Sequence, residues 1–334
     1  MRPTYHPRLI NGPFEDPGLF VPFQFQRRAF LFDLGDLSSL SPRDLLKVSH
    51  VFVTHTHMDH FIGFDRLLRL FLGRRKTLNL FGPKGFLGHM KGKLSGYSWD
   101  LVENYENPLV LKVTEIADTG SATAVFACQD RFVPKDHRTE PFSERILQEP
   151  ALAVSTTLFD HSIPCLGFSM QERFHVNIKK DAVEAMGLQI GPWLKEFKEA
   201  LFASKDPAAL FSIPTGDGFR RVRLEELAER IAVIAPGQKI AYITDIECSP
   251  SNEAKAVLLA KGADHLFIEA PFLESEKRTA IQKHHLTAQQ AGRIAGTARV
   301  KQFTLFHFSP RYTGRSRDFE NEAQRAYENA RRTE

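Results

Sequence analysis

The stretch "THTHMDH" (54–60) puts His55, His57, Asp59 and His60 into a single loop. The residues before it, "VSHVFV", are β-branched and apolar and predict a buried strand. Those after it, "FIGFDRLLRLFL", carry apolar residues at helical spacing. Three imidazoles and a carboxylate therefore stand on a strand-to-helix connection. On extended backbone, side chains two apart point the same way, so His55, His57 and Asp59 converge, while His60 is thrown to the other side as the helix begins. That division suits two metal ions better than one. Neutral imidazole and carboxylate are the ligands preferred by zinc and similar ions, and a catalytic site keeps one coordination position open for water.

Around this loop the pattern is strand and helix in alternation. Strands are expected at "FQFQRRAFLFDLG" (23–35), "HVFVTH", "TLNLFG" (77–82), "LAVSTTLFDH" (152–161), "KIAYITD" (239–245), "HLFIEAPF" (265–272) and "VKQFTLFHFS" (300–309). Helices fit "FDRLLRLFL", "SNEAKAVLLAKG" (251–262), with Ser249 as cap and Pro250 at its opening position, and "TAQQAGRIAGTA" (287–298). Such a sequence predicts layered α/β packing. With no repeat, low-complexity tract or Gly/Ser linker, a single domain over 1–334 is expected. Two insertions interrupt it: an arm at about 175–236 and a polar, turn-rich loop at about 128–150.

Composition excludes several classes. At 334 residues, 42% hydrophobic and 25% charged, the chain can bury a large core and is not disordered. No window approaches the roughly 18–20 apolar residues of a membrane span, and the start, "MRPTYHPRLINGPF", has no signal-peptide core, so a cytoplasmic location without membrane contact is expected. Cys128, Cys165 and Cys248 are odd in number and lack C-x-x-C spacing, which indicates neither a disulfide framework nor a cysteine zinc site. The net charge of +4 is mild, but "RLLRLFLGRRK" (66–76) and "GPKGFLGHMKGK" (82–93) are almost purely basic and offer a place for a polyanion.

"THTHMDH" resembles the H-x-H-x-D-H signature of the metallo-β-lactamase fold. "HSIPCLGF" (161–168), "GLQIGPWLKEFK" (187–198), "KIAYITD", "IEAPF" (268–272), "HLTAQQAGRIA" (285–295) and "HFSPRY" (307–312) look, in that order, like the successive motifs of the ribonuclease Z family. The resemblance runs from about Asp33 to Tyr312. It implies an αβ/βα four-layer sandwich with a short inserted arm and metals at one edge of the two sheets. Carried over by position, it implies two zinc ions, with manganese as the alternative. His55, His57 and His161 would hold one, Asp59, His60 and His307 the other, and Asp245 would bridge them. Asp33, in "FDLGD", resembles the family carboxylate that orients a ligand imidazole. Taken one at a time, a strand-end Asp is as readily a turn residue and a His among Phe residues a hydrogen-bonded core group. Jointly such readings would need three accidents.

The implied reaction is hydrolysis of a phosphodiester by two-metal hydroxide attack, with Asp59 able to accept the water's proton. A departing ribose 3′-oxygen has to be protonated, and the family's His and Glu for that task match His285 and Glu269. Without the resemblance, His285 reads equally as a helix cap and Glu269 as an ordinary strand-end residue. Arg311 matches a phosphate contact, which the planar guanidinium suits. The implied substrate is precursor transfer RNA, trimmed of its 3′ trailer to leave a 3′-OH and gripped by an arm whose Gly-Pro pair matches Gly191 and Pro192. That segment also fits an amphipathic helix with Leu194, Phe197 and Leu201 inward. Self-pairing, common in the family, stays open.

Ile268, Pro271, Thr244, Ile246 and Met58 depart from the family pattern, and "FDLGDLSSLS" lacks its Gly-Thr-Gln. None removes a candidate ligand, but they line the substrate pocket. Two further readings therefore stand beside the endoribonuclease: the same site acting on cyclic nucleotides or other small phosphodiesters, and a catalytically silent RNA-binding protein. The basic stretches and "HFSPRY" favour RNA, the altered pocket favours the small ester, and retention of seven costly polar groups disfavours silence.

Overall fold

Alternation of apolar side chains decides what each strand of this protein covers, and it places two sheets back to back. The computed structural model describes residues 4–24, 26–203, 206, 208–215 and 218–332; Phe25, within the strand predicted at 23–35, lies outside them. The first sheet contains β1 (Arg8–Leu9), β2 (Leu19–Pro22), β3 (Ala29–Phe32), β4 (Val48–Phe52), β5 (Lys76–Pro83), β6 (Leu109–Ala117), β7 (Gly120–Ala127) and β8 (Pro134–Glu140), neighbours in that order. The pairs from β3 to β6 are parallel, and the flanks are antiparallel. One face of this sheet, with Leu31, Val51, Leu80 and Val113, buries against the helices Phe64–Phe71 and Phe86–Ser95. The other carries Phe32 and Phe52.

The chain continues through β9 (Arg145–Gln148), β10 (Leu152–Phe159) and β11 (Cys165–Glu172), then β12 (Phe174–Ile178), β13 (Leu210–Thr215), β14 (Gly218–Arg223) and β15 (Ala232–Pro236). It ends with β16 (Lys239–Ile243), β17 (His265–Glu269) and β18 (Gln302–Phe306). The second sheet runs β18-β17-β16-β11-β10, with β9 beyond β10. Its β16, β17 and β18 are parallel. Ile243, Ile268 and Leu305 face the helices Pro250–Ala260, Ala288–Thr297 and Ser316–Arg332. Between the sheets Phe168 meets Phe32 and Phe52 at 5.8 and 5.6 Å, and Tyr242 meets Phe32 at 5.9 Å. Helices, sheet, sheet and helices give the expected αβ/βα layering.

Two compact units partition the chain. The smaller takes in Thr4, Arg145–Val154 and Met170–Lys239, and the larger takes in Tyr5–Glu144, Ser155–Ser169 and Ile240–Glu334. The smaller has its own core, in which Trp193, Phe197, Ile213, Leu227 and Ile231 are buried. Gly191 and Pro192 precede its helix Trp193–Ala203, whose Phe197 is buried and whose Leu194 and Leu201 are partly so. Its hairpin β13–β14 leaves Phe219, Arg221 and Arg223 exposed.

Several elements escaped the sequence pattern. β8 lies inside 128–150, where turn-rich composition predicts a loop. It is an exposed edge strand, "PKDHRTE", and has no buried face for apolar residues to mark. β6, β7 and the helix Ser316–Arg332 were also not anticipated. Cys128 and Cys165 are buried, but Cys248 is only half-buried. Both helix starts behave as their residues dictate. The Ser249 hydroxyl accepts from Asn252 N–H with Pro250 at the first position, and Thr287, not His285, caps the helix beginning at Ala288, in a reciprocal box with Gln290. Among the described residues no helix is long and apolar enough to cross a membrane.

Candidate metal centre

Every group singled out for metal lies where a strand of the larger unit ends. His55 follows β4, His161 follows β10, Asp245 follows β16 and His307 follows β18, while Glu269 is the last residue of β17. Carboxyl ends of parallel strands are where such sheets open to ligands. Asp33, Asp245 and His307 take left-handed backbone, with φ of 58°, 50° and 62°, so the chain turns sharply at the strand end and aims the side chain into the site. Gly63 lets the two loops of the first sheet close on each other, since a Cβ there would fall 2.2 Å from the Gly35 carbonyl oxygen. Leu34 N–H meanwhile donates to the His60 carbonyl at 2.8 Å.

The imidazoles divide into two groups around one carboxylate. His55 Nε2 is 2.9 Å from His57 Nδ1 and 3.5 Å from Asp245 Oδ2, and His161 Nε2 is 3.7 Å from that same oxygen. On the other side His60 Nε2 is 3.4 Å from both Asp59 Oδ2 and Asp245 Oδ1. His307 lies 3.2 Å from Asp59 Oδ2 through Nε2 and 3.1 Å from Asp245 Oδ1 through Nδ1. These sets, His55, His57, His161, Asp245 and Asp59, His60, His307, are both geometrically able to hold an ion. All seven residues expected to act as ligands are brought together, with Asp245 at the centre.

Residues behind the ligands choose which nitrogen each ring presents. His60 Nδ1 donates to Asp33 Oδ2 at 2.9 Å. Asp33 is completely buried and also accepts from Thr54 N–H at 2.7 Å, from the Thr54 hydroxyl and from the Tyr242 hydroxyl at 3.0 Å. His55 Nδ1 lies 3.1 Å from Thr54 Oγ1, and His161 Nδ1 donates to the His284 carbonyl at 2.9 Å. Each of these three rings therefore turns its Nε2 inward. Sequence reasoning reached Asp33 but not Thr54, Tyr242 or His284. A Tyr in an apolar strand gives no local sign that its hydroxyl finds a carboxylate of the other sheet.

The donor set fits divalent ions. His60 Nε2 is buried and has no hydrogen-bond partner, although two carboxylates lie 3.4 Å away. An orphaned nitrogen in that position is costly unless a cation takes its lone pair. Ligand bonds of about 2.0–2.2 Å would set neighbouring donor atoms roughly 3 Å apart, which is the spacing found. Burial pushes the His55 imidazole down to about 2 and lowers that of His161, which leaves both neutral as ligation requires. For Asp245, burial alone would raise the carboxyl, but the His307, His60 and His55 rings outweigh it and hold the group well below the carboxylate range. At His60 and His307 burial opposes the charge, and the surrounding carboxylates, Asp245 foremost, still raise both.

Beside the second group stands a His–Glu pair. His285 Nδ1 is 2.9 Å from Glu269 Oε2, and Glu269 Oε1 accepts from Ile246 N–H at 3.0 Å and Leu286 N–H at 3.3 Å. Glu269 is fully buried, which by itself raises its carboxyl, yet the charge and hydrogen bond of the His285 imidazole, with the nearby His307 ring, hold it at about 2. His285 is correspondingly raised: burial opposes its charge, and Glu269 prevails. Arg311 sits farther out, exposed, with its guanidinium 5.5 Å above the Phe272 ring and 3.9 Å from Glu276 Oε2; Phe272 in turn lies 6.2 Å from the His285 ring. The basic stretch is tied to the ligand loop, because His89 Nδ1 lies 2.8 Å from the hydroxyl of Thr56, between His55 and His57.

A similar architecture occurs in the metallo-β-lactamase fold protein YhfI from Bacillus subtilis, with a TM-score of 0.57, 14% identity and 97% and 94% of the two chains covered. The short form of human tRNase Z matches at a TM-score of 0.50 and 18% identity over 93% of each chain. The chain has the metallo-β-lactamase fold. By sequence this metallo-β-lactamase-fold chain resembles ribonuclease Z. The enzyme of that name from Deinococcus radiodurans is 27% identical over 315 residues, 91% of this chain and 90% of that protein. No protein-family model matches. The groups around Asp245, at the strand ends, are candidate divalent-metal sites.

Proposed function

We propose that the chain is a zinc-dependent phosphodiesterase of the ribonuclease Z type, an endoribonuclease that removes the 3′ trailer of precursor transfer RNA. The observation that carries this reading is the convergence of five imidazoles on one carboxylate: His55, His60, His161, His285 and His307 each have a nitrogen within 4.0 Å of Asp245. Likeness to ribonuclease Z along nearly the whole chain supports the choice of substrate.

In this reading His55, His57 and His161 would hold one zinc and Asp59, His60 and His307 the other, with Asp245 serving both; manganese is the alternative. Two such ions supply Lewis acidity toward a phosphate and a water that ionises near neutral pH. Asp59, the most exposed carboxylate of the group, is free to orient that water and take its proton. His285, whose protonated form the Glu269 carboxylate favours, donates a proton to the departing 3′-oxygen, which is too basic to leave as an alkoxide. Glu269 holds the ring at the angle its hydrogen bond dictates. Arg311, spread over Phe272, is positioned as a phosphate contact beside His285. The exposed Arg66, Lys84 and Lys91 lie toward the end of the sheet that carries the ligand loop and offer the RNA backbone a positive surface, whereas Arg74 and Arg75 precede β5 at its opposite end.

The test is direct. Purified protein loaded with zinc or manganese is given a precursor transfer RNA and a small phosphodiester in parallel, and the cut is mapped. A cut just after the discriminator base, absent in Asp245→Ala, is expected; turnover of the small ester alone overturns the substrate assignment.

A further inference from the structure

The metal centre has a third side. We propose that Glu269 and His285, with Asp245 shared from the two positions already described and His307 alongside, form a further divalent-cation position, and that a cation held there inhibits the enzyme by occupying His285. The four donor groups lie together with the geometry of an ion site. His285 Nδ1 is 2.9 Å from Glu269 Oε2 and 4.0 Å from Asp245 Oδ2. His307 Nδ1 is 3.5 Å from Glu269 Oε2 and 3.1 Å from Asp245 Oδ1. These separations bracket the roughly 3 Å between neighbouring donors of a zinc ion.

His307 makes the case specific. Its two ring nitrogens face two different ion positions: Nε2 is directed at Asp59, and Nδ1 at Asp245 and Glu269. Nδ1 is buried and lacks a hydrogen-bond partner, because its close carboxylates are out of line for one. A neutral imidazole offers a single lone pair. When His307 ligates through Nε2 toward Asp59 and His60, the third position keeps His285, Glu269 and Asp245 as its donors, with water completing the set. It is therefore the weakest of the three and fills last.

Occupation has a defined chemical cost. With Nδ1 of His285 bound to a cation, its Nε2–H stays in place, but the imidazolium that gives up a proton readily does not form. Glu269 loses its hydrogen bond to the ring at the same time. The inhibition rests on the proposed role of His285; the cation position itself does not.

Zinc binding to the purified full-length chain, by equilibrium dialysis with metal analysis, is followed beside cleavage of precursor RNA. The expected result is two tight equivalents, then a third at higher free zinc, with cleavage falling as the third fills. Glu269→Gln and His285→Ala are each expected to weaken the third equivalent by about tenfold or more while keeping the first two, whose retention also reports an intact fold. Saturation of the wild type at two equivalents overturns the third position and leaves the two-ion reading standing. So does a third equivalent unchanged in both variants. Zinc bound only weakly, and only when Glu269 and His285 are present, supports the third position and overturns the two-ion reading. Undiminished cleavage while the third equivalent fills overturns the inhibition.

Discussion

The first sheet delivers His55, His57, Asp59 and His60 from one loop after β4, whereas the second delivers Asp245, Glu269 and His307 singly, from the ends of three parallel strands. The loop needs only its own backbone and the support of Asp33 and Thr54. The single residues depend on register, with Ile243 opposite Ile268 and Glu269 opposite Phe306. A slip of one residue in β17 would turn Glu269 to the wrong face. One side of the site is thus a local motif and the other a product of sheet assembly, and Asp245 is where the two meet.

Removing Asp245 breaks the comparison most severely, because it serves both sides. Asp245→Ala is expected to lose metal from both groups and to abolish cleavage, as measured by metal content and RNA processing. In the metal-free protein it leaves the His60 and His307 charges buried without their main partner, a cost of about 3–5 kcal/mol in denaturant unfolding. Next, His285→Ala removes a group of the assembled side alone. The rate of cleavage should fall by about 10²–10⁴ with the two tight equivalents of zinc retained; their loss would refute its role as the acid. Third, Asp33→Asn and Tyr242→Phe probe how far the loop relies on the other sheet. Asp33→Asn should weaken metal binding by about 10–100-fold. Tyr242→Phe keeps the ring between Phe32 and Phe306 but drops one hydrogen bond, worth about 1 kcal/mol, and should shift metal affinity less, both read by chelator competition.

Outside the site the effects shrink. Lys84→Ala with Lys91→Ala should weaken RNA binding on all sequences alike and flatten the salt dependence by roughly one unit of slope per lost phosphate contact. His265 gives the smallest effect, and its imidazole behaves oppositely to the raised ones of His60, His285 and His307. Burial depresses it from 6.5 to about 4, and its neutral ring bonds Thr304 and Gln302. The unfolded chain therefore takes up this proton first, so the contribution of His265 to stability is intact above pH 6.5 and is lost as pH falls from 6.5 toward 4. His265→Gln should remove that part of the acid sensitivity, about 1 kcal/mol after allowing for partial exposure, as seen in urea unfolding at pH 7 and pH 5.

Much of the first-sheet side was legible in the chain itself. The strand, loop and helix around His55–His60 follow from apolar spacing, and on the second-sheet side Ser249 with Pro250 announces its helix through capping chemistry. His161, Asp245, Glu269 and His307 were reached only by resemblance, since a lone polar residue after an apolar strand looks like any turn. β8 was hidden because an edge strand exposed on both faces has no alternation to read, and Tyr242 because its partner comes from the other sheet.

The sequence alone determined the ligand loop, the alternation of strands with helices and the basic surface beside them, because each depends on neighbours in the chain. Only the tertiary structure decided that groups more than 200 residues apart, such as Asp59 and His307 at 3.2 Å, share one centre. It also decided which nitrogen each imidazole presents and that Glu269 with His285 stands against Asp245. Those outcomes rest on strand register and on the stacking of two sheets, which no local pattern encodes.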